Sequence, residues 1–187
     1  MKKYQITQWC ANFLKQHVQP GDLCIDATMG NGNDTLLLSR LCGPSGHVHA
    51  FDIQEMALHN TQKKLTEEEA PKNYTLHLAS HTEMKKYAEE NTVSCIVFNF
   101  GYLPGGDHAM ATHAETSIAA MEQALTLLKK GGLMSLCIYS GGDSGFEEKD
   151  RILSWLKTLD FKKYLVIRSD YYNRPNHPPI PVLVIRL

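Results

Sequence analysis

The chain has 187 residues, of which 43% are hydrophobic and 21% charged, and its formal net charge is −1. This composition is typical of a globular protein, and the length predicts a single domain over residues 1–187. A nearly neutral chain excludes a large basic footprint for nucleic acid, although it is compatible with a local basic patch.

Hydrophobic periodicity predicts helices that alternate with strands along the chain. The predicted helices cover residues 5–17, 34 or 35–41, 55–69, 83–90, 115–130 and 146–159. The predicted strands cover residues 23–28, 47–53, 74–80, 93–101, 133–140, 163–170 and 179–187. Five strands separated by helices indicate an α/β fold with a parallel sheet and helices on both faces. The last two strands are too close in sequence for a helical crossover, so we expect an antiparallel hairpin at the edge.

The five cysteines, at positions 10, 24, 42, 95 and 137, are far apart and form no CxxC pair. Three of them, Cys24, Cys95 and Cys137, lie in apolar runs, where a reduced thiol packs as a small hydrophobic side chain. The N-terminal segment lacks the apolar core of a signal peptide, and no run reaches the length of a membrane span. We therefore expect a reduced, cytoplasmic protein with no membrane contact.

The first strand-to-helix junction reads IDATMGNGNDT, residues 25–35. Gly30 and Gly32 permit positive φ and let a ligand approach the backbone closely. A pyrophosphate needs bare amides at a helix N-terminus, and the carboxylate of Asp34 would repel it. Asp26 and Asp34 together suit a ligand that carries positive charge. The alternative is a tight turn in which Asp34 caps the helix.

Asp52 ends the second predicted strand, 22 residues after Gly30. An acid at this position of a Rossmann-like sheet accepts hydrogen bonds from the ribose of an adenosine. An adenosine-bearing cation that is not a dinucleotide indicates S-adenosylmethionine. The alternatives are an exposed, unused Asp52 or a nicotinamide-dependent oxidoreductase, which Asp34 disfavours.

Three strings, DATMGNGNDT, FDIQ and NFGYLPGGDH, closely resemble those of one family of small bacterial class I methyltransferases that use S-adenosylmethionine. Long labelled rRNA methylases, these proteins have since been assigned as tRNA 5-aminomethyl-2-thiouridine methyltransferases. The resemblance covers nearly the whole chain, and NFGYLPGGDH is its most specific part. It implies a seven-stranded Rossmann-like fold, the tRNA anticodon stem-loop as partner, and methyl transfer to the exocyclic amine of a wobble uridine. Sequence does not determine the oligomeric state, and a homodimer stays open.

The resemblance also implies a cofactor site. The cofactor-binding residues that it indicates are Asp26, Thr28, Gly30, Asn31, Gly32, Asn33, Asp34, Asp52, Gln54 and His81. The loop residues would line the methionine moiety, whereas Asp52 and Gln54 would hold the ribose and the adenine edge. His81 falls where the superfamily places an adenine-edge contact, although it is equally well explained as the neighbour of a helix cap at Thr82.

The string NFGYLPGGDH follows the fourth strand, where methyltransferases that act on exocyclic amines carry an Asn/Asp-Pro-Pro-Tyr-like motif. The candidate catalytic residues are Asn99, Gly101, Tyr102, Pro104 and Asp107. The Asn99 carbonyl oxygen, or a backbone carbonyl of the Gly101–Pro104 turn, can accept an amine N–H and aim the nitrogen lone pair. Tyr102 and Pro104 could stack on the base, and the proton would leave to water or Asp107. The alternative is a glycine-rich loop with Asp107 as a cap.

Two rival chemistries are disfavoured. Methylation of a pyrimidine carbon usually needs a cysteine nucleophile, and Cys95 and Cys137 lie in mid-strand. His47 and His49 share a strand face but have no third ligand nearby in sequence, so we expect no metal site.

The loop SDYYNRPNHPP, residues 169–179, is a candidate RNA contact. Together with the motif loop it contributes the candidate substrate-binding residues Tyr102, Tyr171, Tyr172, Asn173, Arg174 and Asn176. Aromatic rings and arginine suit base stacking and phosphate contact. A solvated hairpin whose prolines block an edge strand explains the same residues. Alternative substrates are rRNA or a small-molecule amine, and a non-catalytic adenosine sensor would keep Asp52 without needing Asn99.

Overall fold

The computed structural model describes residues 5–101, 113–140 and 142–187, without the side chains of residues 142–144. The helices are α1 (Ile6–His17), α2 (Asn33–Cys42), α3 (Glu55–Glu67), α4 (Ala114–Leu127) and α5 (Gly142–Leu156). The strands are β1 (Leu23–Asp26), β2 (His47–Asp52), β3 (Tyr74–Leu78), β4 (Val93–Phe100), β5 (Leu128–Ile138), β6 (Tyr164–Arg168) and β7 (Ile180–Arg186). A 3₁₀ helix covers His81–Lys86.

The seven strands form one sheet in the order β3-β2-β1-β4-β5-β7-β6. Strands β1 to β5 are parallel, and β7 lies antiparallel between β5 and β6. This confirms the predicted α/β sheet with an antiparallel C-terminal hairpin. The chain leaves β1 towards β2 and later returns to its other side as β4, so β1 and β4 flank the point at which the strand order reverses. Ligands of such sheets bind in the crevice at the carboxyl ends of these strands.

Strand alternation determines which side chains reach this crevice from which side. Cys95 and Val97 of β4 pack with Leu14 of α1 and Leu38 of α2, whereas the intervening strand residues pack in the core that includes α4. Asn99 has the same parity as Cys95 and Val97. Its side chain therefore lies on the α1–α2 side of the sheet. Asp26 and Asp52 end their strands with the corresponding parity, because Cys24 and Val48 belong to the same cluster.

Most helix and strand bounds differ from the predicted ones by one to three residues, and three segments differ in a way that has a structural reason or changes the type of helix. The helix predicted to end at Lys130 ends at Leu127, because Leu128 already has extended backbone angles and pairs with Val93. Residues 129–132 then bulge before Leu133 pairs with Cys95, and Gly131 and Gly132 lie in this bulge. The segment predicted as a helix over 83–90 is the 3₁₀ helix. The last helix begins at Gly142 instead of Phe146.

Candidate active site

The glycine loop after β1 requires both of its glycines. Gly30 has φ of 48° and Gly32 has φ of 72°, angles that side chains with a Cβ rarely adopt. A Cβ on Gly32 would also lie 3.0 Å from the backbone and side chain of Thr61 in α3. Gly32 is the N-cap of α2 and no side chain caps that helix, so the alternative in which Asp34 is the cap is wrong.

Side chains of helix α3 donate hydrogen bonds to the glycine loop, and the sequence did not indicate these contacts. Thr61 donates its hydroxyl proton to the Gly30 carbonyl at 3.0 Å. Asn60 donates to the amide oxygen of Asn31 at 3.0 Å, and Lys64 donates to the amide oxygen of Asn33. These contacts orient the two asparagine side chains, whose amide oxygens are occupied from the α3 side. The residues of α3 follow an ordinary amphipathic pattern, so no motif marked them.

The Asp52 carboxylate is bound to the same loop. Its Oδ2 accepts a hydrogen bond from the Gly30 N–H at 3.0 Å, and its Oδ1 accepts one from the Gln54 N–H at 3.0 Å. Each carboxylate oxygen can accept a second bond, so Asp52 can bind two hydroxyl groups while it holds the loop. Burial raises the pKa of Asp52, and the two backbone N–H groups oppose that shift.

A polar network connects the ends of β1 and β4 to the start of α2. Asp34 lies in the first turn of α2 and its Oδ2 accepts a hydrogen bond from Asn99 Nδ2 at 2.8 Å. The Asn99 backbone N–H donates to Thr28 Oγ1 at 2.8 Å. Behind them, Asp26 accepts hydrogen bonds from the Thr35 hydroxyl at 2.6 Å and from the Thr28 N–H at 3.2 Å. The network therefore fixes Asn99 through both its backbone and its side chain.

The two acids of this network favour a cation. Burial and the nearby charge of Asp34 raise the pKa of Asp26 to about 7, and burial raises the pKa of Asp34. A positive charge in the cavity would stabilise both carboxylates and lower both pKa values. The positive end of the α2 dipole also favours the ionised form of Asp34.

A cavity of about 870 Å³ opens at this end of the sheet. Most of the sequence-predicted site residues line it, namely Thr28, Gly30, Asn31, Asn33, Asp34, Asp52, Gln54, His81, Asn99, Gly101 and Asn176. Its size is within the range of cavities that hold cofactors and drug-sized ligands.

Two predicted cofactor residues do not line the cavity. Asp26 is fully buried and forms a layer behind Thr28 and Asp34, so it acts on a ligand through its charge and through the network, not through contact. Gly32 is buried against α3 and shapes the loop. Tyr102, Pro104 and Asp107 lie outside the described residues.

The predicted RNA-binding loop reaches the cavity with fewer residues than expected. Asn176, with φ of 66°, lines it together with His177 and Pro179. Tyr171 instead packs against the buried cluster that contains Ile6, Cys10 and Cys137. Tyr172, Asn173 and Arg174 are exposed and lie outside the cavity wall. These four residues therefore do not line the cavity, and their predicted contact with RNA outside it stays a prediction.

His81 lines the cavity from the opposite side of the sheet. Ser80 is the cap of the 3₁₀ helix and accepts a hydrogen bond from the Thr82 N–H at 3.2 Å, so the cap lies two residues before Thr82, where the alternative interpretation placed it. Burial lowers the pKa of His81, which favours the neutral ring. Its Nε2 is buried without a hydrogen-bond partner among the described residues.

Sequence reasoning missed Tyr139, which follows β5 and lines the cavity. The register places Phe100 opposite Ile138, so Gly101 lies beside Tyr139. A Cβ on Gly101, whose φ is 148°, would lie 3.2 Å from the Tyr139 Cβ. The absence of a side chain at Gly101 therefore lets the end of β4 lie close to the Tyr139 side chain. Only the strand order, in which β5 follows β4, could have indicated this neighbour.

Helix α1 also contributes to the wall, with Thr7, Gln8, Ala11 and Lys15 facing the cavity.

No group of three His, Cys, Asp or Glu side chains is placed to hold a metal ion within residues 5–101, 113–140 and 142–187. In the same ranges no helix is long and apolar enough to cross a membrane. The five cysteines are buried free thiols, which confirms that Cys24, Cys95 and Cys137 belong to the core.

Comparison with known proteins adds an independent line of evidence. The family model described as "Putative rRNA methylase" matches residues 48–185. A chloroplastic tRNA (mnm(5)s(2)U34)-methyltransferase from Arabidopsis thaliana is 36% identical over 176 residues, which are 88% of this chain and 63% of that protein. The chain therefore spans somewhat less than two thirds of that relative's length.

Two crystal structures match over nearly their whole length. A "putative rRNA-methylase" from Clostridium thermocellum has a TM-score of 0.94 and 44% identity, with 98% of both chains covered. A "putative methyltransferase" from Streptococcus mutans in complex with SAH has a TM-score of 0.87 and 36% identity, with 97% of both chains covered. Together with the family match, these similarities show that the chain belongs to the "Putative rRNA methylase" family.

Proposed function

We propose that the protein is an S-adenosylmethionine-dependent N-methyltransferase that converts 5-aminomethyl-2-thiouridine at the wobble position of tRNA to 5-methylaminomethyl-2-thiouridine. The name of the Arabidopsis relative supports this substrate. The observation that carries the proposal is the Asn99 amide, which lines the cavity and donates its N–H to the Asp34 carboxylate at 2.8 Å.

The residues present fit S-adenosylmethionine. Asp52 offers an acceptor on each carboxylate oxygen for the two ribose hydroxyls, and His81 lines the cavity, where its ring can contact the adenine. Asp34 faces the cavity and, with Asp26 behind it, favours a positively charged ligand. When bound, this cofactor supplies an electrophilic methyl group on a positively charged sulfur.

The chain's own contribution to the reaction is positioning. The substrate amine must arrive neutral, with its lone pair directed at the methyl carbon. The Asn99 amide oxygen can accept one amine N–H and so direct that lone pair. So directed, the lone pair would form the new N–C bond with the methyl group of the cofactor, in exchange for its C–S bond. The nitrogen then carries a positive charge and releases a proton to solvent.

The substrate base needs a flat surface as well as a hydrogen bond. Tyr139 offers an aromatic ring beside Gly101, one strand away from Asn99. Asn176 and His177 lie at the cavity from the hairpin loop. An unstacked wobble base fits such a site without a broad basic surface, which agrees with the net charge of −1.

The test is mass spectrometry of nucleosides from tRNA that has been incubated with the purified protein and S-adenosylmethionine. The tRNA is taken from cells that lack this gene, and we expect a mass gain of one methyl group on 5-aminomethyl-2-thiouridine. Asn99→Ala should reduce turnover about 100-fold, because the loss of orientation is not replaced, and should leave cofactor affinity within about threefold. Methylation of rRNA or of small amines, with unchanged tRNA, would overturn the proposed substrate.

A further inference from the structure

We propose that Asp34 is a positioning residue for Asn99: it orders the Asn99 amide so that the oxygen, and not the NH₂ group, faces the substrate amine. The proposal rests on the proposed amine methylation. Asp34 would then have two roles: it favours binding of the positively charged cofactor, and it orients the residue that contacts the substrate amine.

The two ends of a side-chain amide have the same shape and opposite hydrogen-bonding character. If the Asn99 amide turned over, its NH₂ group would face the amine, and two donors would oppose each other. An ionised carboxylate only accepts hydrogen bonds, so a carboxylate beside the amide admits one orientation and excludes the other. Asp34 occupies this position, 2.8 Å from Asn99 Nδ2.

The surroundings hold Asp34 itself in place. It belongs to the first turn of α2, a helix that packs on β1 and β2, and Thr35 beside it donates to the buried Asp26. On the other side, Thr28 accepts from the Asn99 backbone N–H. The backbone of Asn99 is thus held by Thr28, and the bond to Asp34 sets the direction of its side-chain amide.

The arrangement also couples the two ligands. A positively charged cofactor stabilises the carboxylate form of Asp34, and only that form enforces the amide orientation. We therefore expect the amine site to be complete only when the cofactor is bound, so that the cofactor increases the affinity for the tRNA substrate.

The first test needs no turnover. In the protein saturated with S-adenosylmethionine and without tRNA, the side-chain NH₂ signals of ¹⁵N-labelled Asn99, assigned by their loss in Asn99→Ala, should show the shift and slow hydrogen exchange of a group bonded to a carboxylate. Asp34→Asn should remove both features. Asp52→Asn is the matched control, because it also weakens cofactor binding but its partners are Gly30 and Gln54. An Asn99 signal that is the same in Asp34→Asn as in the unaltered protein would overturn the proposal.

The second test is a double-mutant cycle measured with saturating cofactor. Asp34→Asn should lower kcat three- to tenfold, since an asparagine pairs with Asn99 in either orientation. In an Asn99→Ala background the same change should alter kcat less than twofold, because no amide is left to orient. Equal losses in both backgrounds would show that Asp34 acts on the cofactor alone, and would overturn the proposal.

The reciprocal exchange Asp34→Asn/Asn99→Asp provides a gain of function. The amide introduced at position 34 would then donate to the carboxylate introduced at position 99, whose other oxygen accepts from the amine. We expect kcat to return to within about threefold of the unaltered protein while cofactor affinity stays low. Absence of amine methylation by the unaltered protein, with the Asn99 signal ordered, would instead overturn the proposed function and leave the orientation by Asp34 intact.

Discussion

Replacing Asp52 by asparagine tests the cofactor site most directly, because the change keeps the shape of the side chain. The carboxylate accepts from two backbone N–H groups, those of Gly30 and Gln54, at 3.0 Å each. An amide has one acceptor, so Asp52→Asn places an NH₂ group against one of these donors. It also replaces one charge-assisted bond to the ribose. A hydrogen bond to a charged group contributes about 1.5–3 kcal/mol, which corresponds to a roughly 10- to 150-fold weaker affinity.

The assay is isothermal titration of SAH into the purified protein, with the thermal midpoint measured in parallel. The opposed donors should cost about 1–2 kcal/mol of folding free energy, which lowers the midpoint by about 2–8 °C for a chain of this size. Glu67→Gln is the control, since it removes one exposed charge from α3, where Glu67 lies 3.8 Å from Lys63. An Asp52→Asn affinity within threefold of the unaltered protein would refute the assignment of Asp52 to the ribose.

Gly32 of the glycine loop, the buried Asp26 and His49 of β2 each give a further prediction. Gly32→Ala should lower the free energy of unfolding by about 2–4 kcal/mol in urea titration, since it adds crowding against α3 to the cost of positive φ. The control is Gly43→Ala, where φ is 63° and nothing lies within 4 Å of the added Cβ, so the loss should be only about 1–2 kcal/mol. Equal losses in the two variants would contradict this account. Because the pKa of Asp26 is raised to about 7, the affinity for S-adenosylmethionine relative to SAH should rise between pH 6 and pH 8 in calorimetry, and Asp26→Asn should flatten the rise. Burial and neighbouring histidines lower the pKa of His49 to about 4, and its Nδ1 lies 3.1 Å from His77 Nε2. Between pH 6.5 and pH 4 the unfolded chain therefore binds more protons at this residue than the folded protein, and the free energy of unfolding should fall as the pH drops through this range. A His49→Gln variant with the same pH dependence of stability would disprove this origin.

The sequence correctly predicted which polar residues and glycines lie at, or directly after, the carboxyl ends of strands next to the cavity. Asp52 and Asn99 are polar residues at the ends of apolar strands, and such strands in a parallel sheet present their carboxyl ends at one edge. Gly30 and Gly32 are informative because few residues other than glycine adopt positive φ. Each of these inferences needed only the chain within a few residues of the site.

Features that depend on tertiary contact were not predictable in the same way. The contribution of α3 to the loop arises from Asn60 and Thr61, which a helical pattern does not distinguish from other polar residues. The sequence predicted that Asp26 binds the cofactor. In the structure Asp26 is fully buried and accepts a hydrogen bond from Thr35, so it supports the residues that line the cavity and does not line it itself. The early end of α4 follows from the pairing of Leu128 with Val93, because strand pairing overrides the helical preference of that segment.

The glycine loop also explains how a Rossmann-like sheet selects a cation where its dinucleotide-binding counterparts select a pyrophosphate. A pyrophosphate is bound by bare backbone amides at the start of the first helix. Here the Gly30 N–H is bonded to Asp52, and the first turn of α2 presents the carboxylate of Asp34 to the cavity. The positive end of the helix dipole thus acts on a side chain of the protein, because Asp34 lies in the first turn of α2. The arrangement disfavours the oxidoreductase alternative on electrostatic grounds, and it makes the same carboxylate available to order Asn99.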